Sequence, residues 1–391
     1  TLNKIPAQAL LAPIRDENIA FILLKFGRAA EAEPFARRAI GNAGNRETRV
    51  RLALADILLP VELDDLSIED LAVMKCHALA QRDLQGAVIV PLPPSRQARH
   101  QLPVLVEFDE VLVGAGADGI IDCISQAFLE EGDEIVCGWP SFPSYVIDAL
   151  KLGATPVRVP LRDNRYDLDA LLDAVTPRAK VVYVCHPNNP TGTSNTRGEL
   201  DAYFERVPEH VLTVLDQAYF EYIDDADYPD GVTEFFKQGR RVAVLRTFSK
   251  IYGLAGLRMG WGVAPRAIAT AVAKVRRAFD ITTPAQEAAL ASLDSPQELE
   301  RRRRENLRAR RELERILRER GLAPVGPAVA NFLFAEVGED SRPFFEQLLR
   351  EGVIVRPTHG FGAPGAVRVT VGTGEDHEHL AEALARVLAT A

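Results

Sequence analysis

From residue 106 onward, short apolar runs alternate with stretches of helical period. The runs lie at residues 110–113, 134–137, 155–159, 179–185, 211–215 and 242–245, with helical stretches at 120–129, 145–150 and 168–174 between them. Apolar runs this short, without strict polar alternation, are strands buried on both faces, and the helical segments supply the cover. The pattern predicts an α/β fold built on a mostly parallel sheet flanked by helices. In such a sheet the loops after the strand ends build the site. Beyond Pro284 the chain turns helical, and Ser295 opens a long arginine-rich helix to about Arg320. Strand-like and helical runs then alternate again at 331–336, 344–349, 353–356, 366–371 and 380–388, which predicts a smaller α+β lobe.

Three segments are therefore expected. Residues 1–50 form an N-terminal arm, 51–283 a large domain and 284–391 a small C-terminal domain. Within the arm, residues 31–40 read as an amphipathic helix with proline in its first turn. Residues 51–105 are atypical: a helix over 66–80 with Ser67 as N-cap, an apolar run at 88–90, then a proline-marked loop.

Composition narrows the function. A chain of 391 residues with 47% hydrophobic and 26% charged positions is an ordinary globular protein. Its net charge of −9 opposes nucleic-acid binding, which rests on neutralising phosphates. The run Arg301-Arg-Arg-Arg304 is interleaved with glutamates and is expected to be a solvated helix face. No apolar run reaches the roughly 18 residues of a membrane span. No secretory signal is expected from the first residues. The four cysteines are scattered without a C-x-x-C pair, so neither a metal site nor a disulfide framework is expected, and a cytoplasmic location is.

Candidate chemistry gathers at the strand ends. After the run 242–245 come Thr247, Ser249, Lys250 and Arg258. An amine can form an imine with an aldehyde, while hydroxyls and a guanidinium hold a phosphate; the cofactor that suits both is pyridoxal 5′-phosphate (PLP). Gly114-Ala-Gly-Ala-Asp-Gly119 lies between strand and helix. Its G-x-G-x-x-G spacing suits a dinucleotide, and its free backbone N–H groups suit any phosphate. Trp139-Pro-Ser-Phe-Pro-Ser-Tyr145 brings rings to the next strand end, where Phe142 or Tyr145 can cover a pyridine face. The Asn189 amide, in a Pro/Asn/Gly turn, can donate to a phenolate oxygen, and Tyr219 can reach the same atom. Asp216 ends a buried strand, where an unpaired carboxylate is costly; it reads either as a helix N-cap or as the partner of a pyridine nitrogen.

Together these residues resemble the fold-type I PLP-dependent aminotransferases, and among them the histidinol-phosphate aminotransferases. The resemblance runs from about Glu110 to Leu388. It rests on Gly116-Ala-Asp118, Pro187-Asn-Asn-Pro-Thr-Gly192, Asp216-Gln-Ala-Tyr219, the stretch from Arg246 to Arg258, Ala330-Asn-Phe-Leu333 and Arg368-Val-Thr-Val-Gly372. It implies that Lys250 bonds the cofactor, Asp216 holds its ring nitrogen, Asn189 and Tyr219 contact the phenolate oxygen and Phe142 stacks on the ring. It further implies phosphate contacts from the backbone of Ala117 and Asp118 and from Ser249 and Arg258. Arg368 would bind a carboxylate, and Arg356 a second anionic group. Two departures stand out. Gln217 replaces the family's usual glutamate, and no tyrosine precedes Tyr145, so no partner-crossing tyrosine is carried over.

The resemblance implies a homodimeric transaminase working on an amino donor, foremost histidinol phosphate, and a keto acid such as 2-oxoglutarate. An aromatic-amino-acid aminotransferase is the nearest alternative. A PLP-dependent decarboxylase of a phosphorylated amino acid, or a PLP-binding protein without turnover, are alternatives of another class.

Overall fold

The computed structural model describes residues 87–90 and 104–389. The chain divides into two compact units, Thr1–Ile89 and Val90–Ala391. The helices expected over 31–40 and 66–80, and the arm over 1–50, lie outside the described residues. Strand β1 (Ala87–Val90) coincides with the apolar run before the prolines.

In the second unit, β2 (Val104–Glu107) leads into β3 (Val111–Gly114), helix α1 (Gly116–Phe128), β4 (Glu134–Trp139), α2 (Ser144–Lys151), β5 (Thr155–Pro160) and α3 (Leu168–Asp173). Then come β6 (Ala179–Cys185), α4 (Arg197–Arg206), β7 (Leu212–Asp216), β8 (Val242–Thr247), β9 (Gly260–Val263) and α5 (Arg266–Val275). Seven strands form one sheet in the order β3-β9-β8-β7-β6-β4-β5. Strand β9 runs antiparallel to both its neighbours and the other pairings are parallel. Apart from exposed Lys180, the residues of β6, β7 and β8 are buried throughout, as strands covered on both faces must be.

Strand β9 and helices α4 and α5 are additional to the expected elements; β9 and α4 carry no clear apolar signal, whereas α5 buries Ile268, Ala269 and Val272 on one face. Helix α4 is fixed by a capping box, Thr196 with Glu199. Strand β9 reads Gly-Trp-Gly-Val because its backbone is crowded. A Cβ on Gly260 would lie 2.3 Å from the Gly116 carbonyl carbon, and one on Gly262 would lie 2.6 Å from the Val244 oxygen.

Helices α6 (Thr283–Leu293) and α7 (Pro296–Glu319) lead to a second sheet. There β10 (Phe332–Glu336) and β11 (Arg356–Pro357) flank β12 (Ala366–Thr370), all antiparallel, with α8 (Arg342–Arg350) and α9 (Gly374–Ala389) alongside. The expected 353–356 strand shrinks to two residues. The central register places Arg368 opposite both Phe334 and Arg356.

Candidate active site

Asp216 is the last residue of β7, flanked in register by Cys185 of β6 and Leu245 of β8. Its main chain is pinned on both sides: the His186 N–H donates to the Asp216 carbonyl at 2.8 Å, and the Gln217 N–H to the Leu245 carbonyl at 3.0 Å. The carboxylate is buried. Oδ1 accepts from the Ala218 N–H at 3.1 Å and Oδ2 from the Tyr145 hydroxyl at 2.7 Å. Burial raises its proton affinity; the Tyr145 and Ala218 hydrogen bonds and the Lys250 charge oppose that rise. Asp216 is not a helix N-cap: one oxygen instead accepts from the turn N–H two residues on, and the buried carboxyl group lies within the field of the candidate lysine.

Tyr145 is a residue whose part the sequence did not disclose. One ring face stacks on Tyr183 at 4.4 Å, and its hydroxyl is spent on Asp216, so it serves the carboxylate rather than a pyridine face. Phe142 packs edge-on against it at 5.6 Å and is only half-buried, which leaves Phe142 the better candidate for a ring contact. Phe142 lies just ahead of α2 and Tyr145 in its first turn, so the short spacing brought both rings to one strand end without telling their parts apart.

Lys250 follows β8, with its Nζ 4.9 Å from the centre of the buried Tyr219 ring. Tyr219 packs edge-on against Phe332 at 5.2 Å, and Arg368 lies over the same Phe332 ring at 4.9 Å. Arg368 Nη1 donates to Asn189 Oδ1 at 2.5 Å. Among the described residues its buried Nε has no acceptor, and burial lowers its hold on the proton. The residues from the two sheets therefore meet: Asp216, Lys250, Tyr219 and Asn189 from the large sheet's loops, and Arg368 from the small sheet. Arg356, opposite Arg368, is exposed, and both guanidiniums lie over the Phe361 ring, at 5.9 Å and 5.4 Å.

The glycine turn is a separate cradle. Helix α1 begins at Gly116, whose φ is +76°. A Cβ there would come 2.7 Å from Arg258 Nη2. Arg258 itself sits in the left-handed region (φ 57°) and donates to the Ala115 carbonyl at 3.3 Å and the Ala255 carbonyl at 3.0 Å. A guanidinium facing only carbonyls beside a helix N-terminus is suited to an anion. Ala117 is buried and Asp118 exposed in the first turn of α1. Ser249 is half-buried, and its N–H donates to Thr247 Oγ1 at 3.1 Å. Strand β3 lies at the sheet edge beside antiparallel β9, not at the start of a parallel βαβ unit, so the turn is not placed as a dinucleotide fingerprint requires.

Gln217 is a buried hub. Its amide nitrogen donates to the Pro229 carbonyl at 2.9 Å, and its oxygen accepts from the Gly231 N–H at 3.1 Å and from Arg246 Nη2 at 2.9 Å. Arg246 also donates to Asp230 at 3.0 Å and stacks on Phe220 at 3.3 Å. A carboxylate at 217 has no N–H for the Pro229 carbonyl, which gives the departure from the family pattern a local physical reason.

The donor set fits PLP: an amine, a buried carboxylate, an amide and phenol pair, and a cradle without room for a Cβ. Comparison with known proteins agrees. A histidinol-phosphate aminotransferase of Moorella thermoacetica is 41% identical over 285 residues, covering 73% of each chain. An aromatic amino acid aminotransferase of Streptomyces coelicolor is 43% identical over 274 residues, covering 70% of this chain and 75% of that protein. The crystal structure of histidinol-phosphate aminotransferase from Sinorhizobium meliloti in complex with pyridoxal-5′-phosphate superposes with a TM-score of 0.69 at 27% identity, covering 81% of this chain and 82% of that one. The family model for aminotransferase class I and II matches residues 99–386, and the chain belongs to that family.

Proposed function

We propose that this aminotransferase takes its amino group from histidinol phosphate and passes it to 2-oxoglutarate. The observation that carries the choice of donor is the pair Arg356 and Arg368, cross-strand neighbours over one aromatic ring. Among the described residues neither has a carboxylate partner. Two adjacent guanidiniums repel unless an anion lies between them, and a phosphate monoester near charge −2 answers both. The carboxylates of glutamate and 2-oxoglutarate would use Arg368 in the second half-reaction.

PLP, when bound, supplies an aldehyde for an amine and a ring that stores the electron pair released at the substrate's Cα. The chain's own residues do the rest. Asp216 is assigned to the ring nitrogen, where its buried charge keeps a proton in place. Lys250 Nζ serves as the base that removes the Cα proton and as the acid that returns it one position along. Asn189 and Tyr219 are assigned to the phenolate oxygen and Phe142 to the ring face. The N–H groups of Ala117 and Asp118, with Ser249 and Arg258, are assigned to the phosphate. A lobed organisation with its boundary near residue 283, a homodimer and a cytoplasmic location complete the proposal; Cys123, Cys137 and Cys185 are free and buried, in keeping with a reducing compartment.

The test is a spectrophotometric screen of the PLP-loaded protein against histidinol phosphate, phenylalanine, tyrosine and glutamate. Loss of the visible band in favour of near-ultraviolet absorbance with histidinol phosphate and glutamate supports the proposal. Conversion by phenylalanine or tyrosine but not histidinol phosphate replaces it with the aromatic reading, which Phe332 and Phe361 beneath the two arginines favour. Release of CO2 without keto-acid-dependent transfer would move the chain to decarboxylation.

A further inference from the structure

The arginine run of α7 does not form one solvated face. Arg301, Arg304 and Arg308 are exposed and pair with glutamates of their own helix. Arg302, Arg303, Asn306 and Arg310 turn inward and donate to main-chain carbonyls of three other segments. Arg302 Nη1 reaches the Ile251 carbonyl at 3.0 Å, and Arg303 Nη1 the Ile223 carbonyl at 3.2 Å. Arg310 Nη1 and Asn306 Nδ2 both reach the Ala330 carbonyl, at 3.0 Å and 3.5 Å. Those segments are the ones that carry the site. Ile251 follows Lys250, Ile223 closes the turn begun by Tyr219, and Ala330 precedes Phe332, which lies between Tyr219 and Arg368. Tyr219, Tyr222, Ile251, Ala330 and Phe332 pack as one buried cluster, with Leu299 of α7 against it.

We propose that α7 is a bracket for the active site, in which Arg302 is the positioning residue for Lys250. Its Nε is held by Glu298 Oε1 at 2.7 Å, which leaves Nη1 aimed at the Ile251 carbonyl. The turn it holds is short: the Gly253 N–H closes back on the Lys250 carbonyl at 2.9 Å. Gly253, at φ +76°, would carry a Cβ only 3.0 Å from Arg302 Nη1, so the turn is shaped to admit the guanidinium. A charged donor on a carbonyl one residue from Lys250 limits how far the lysine's backbone can swing, and with it where Nζ stands relative to Asp216 and Tyr219. Arg302 also lines an open cleft of about 180 Å3 with Ser292, Ser295 and Glu298, so shortening it removes no core packing.

The inference rests on the assignment of Lys250 as the cofactor-bonding amine. The experiment compares Arg302→Met, Arg302→Lys and the exposed control Arg308→Met as PLP-loaded full-length proteins. It reads the pH titration of the visible band and the hydrogen exchange of the peptide spanning residues 250–254. Arg302→Met is expected to move the titration midpoint by about half a pH unit or more and to speed exchange about tenfold, with kcat falling more than KM rises. Arg302→Lys, which keeps a charged donor, restores most of the shift, and Arg308→Met matches wild type. A midpoint unmoved in Arg302→Met overturns the positioning role, whatever exchange or melting temperature does. Absence of a visible band in the wild-type protein strikes instead at the Lys250 assignment beneath it.

Discussion

The Tyr145 hydroxyl donates to Asp216 Oδ2 across 2.7 Å, and both residues are buried. The tyrosine's own proton is held far more tightly than usual, by burial first and by the neighbouring carboxylate second. It is therefore a permanent donor, and it favours the ionised form of Asp216 against the pull of burial.

Tyr145→Phe removes that donor together with the hydroxyl's hydrogen bond with the buried Cys185 thiol. The expected cost in stability is about 1.5–3 kcal/mol, the range for a hydrogen bond to a charged group. Asp216 should then hold its proton more tightly, so the acid limb of the kcat profile should move to higher pH. Urea unfolding and a pH–rate profile check both, and a variant with the wild-type profile would show that Ala218 and the cofactor suffice to set the charge.

Lys250→Ala is expected to abolish the visible band, and its persistence would refute the assignment of the amine. Asp216→Ala should keep some PLP but lose turnover. Breaking a buried charge pair costs roughly 3–5 kcal/mol, which taken from the barrier is on the order of a hundred- to several-thousandfold in kcat. Steady-state rates with saturating donor decide it, and a rate within threefold of wild type would remove Asp216 from the ring nitrogen.

Arg368 is joined to Asn189 by one 2.5 Å hydrogen bond and lies over two aromatic rings. Arg368→Lys keeps the charge but loses the flat fork that both makes that bond and clasps an anion. We expect KM for the anionic donor to rise about ten- to a hundredfold, with the lost Asn189 bond showing as a modest fall in melting temperature. Arg356→Lys, at an exposed position, should raise KM by less. Equal KM values for wild type and Arg368→Lys would place the substrate anion elsewhere.

How much of this could be read from the chain follows from physical causes. Strands β6, β7 and β8 were legible because burial on both faces demands unbroken apolar runs, and Lys250, Asp216, Asn189 and Tyr219 because they stand where those runs stop. Strand β9 was not, since close backbone approach to α1 and β8 demanded glycine where strand propensity demands bulk. The inward set of α7 was hidden for a different reason. Arg302 and Arg303 are adjacent to outward-facing arginines, and only the carbonyls they meet, some 50 and 80 residues away in sequence, separate the two kinds. Tyr145 was recognised as an aromatic of the site, but its hydroxyl's partner lies on another strand, 71 residues on.

A second buried carboxylate, Glu221, is shifted by burial in the same direction as Asp216 and has the clearer consequence for stability. Glu221 is held near Arg246 Nη1 at 3.9 Å, its Oε2 has no partner among the described residues, and burial pushes its pKa up to about 7. A carboxyl group whose folded pKa exceeds its unfolded value near 4.5 favours folding fully below pH 4.5, and that contribution drains away as pH rises to 7. The span is worth roughly 3 kcal/mol at about 1.4 kcal/mol per pH unit. Buried His186, held down to about 4 by desolvation, acts with the other sign, its neutral form favouring folding more as pH rises from 4 to 6.5. Glu221→Gln keeps the shape, removes the first slope and leaves the second in place, so the difference between variant and wild type isolates Glu221. Arg246 retains Asp230, Gln217 and the Phe220 ring, and the fold should survive. Measured by urea unfolding, the variant's stability relative to wild type should climb by roughly 3 kcal/mol between pH 4.5 and 8. A flat difference across that range would mean that Arg246 holds Glu221 ionised throughout, and that the cost of burying the carboxylate is already met by the guanidinium.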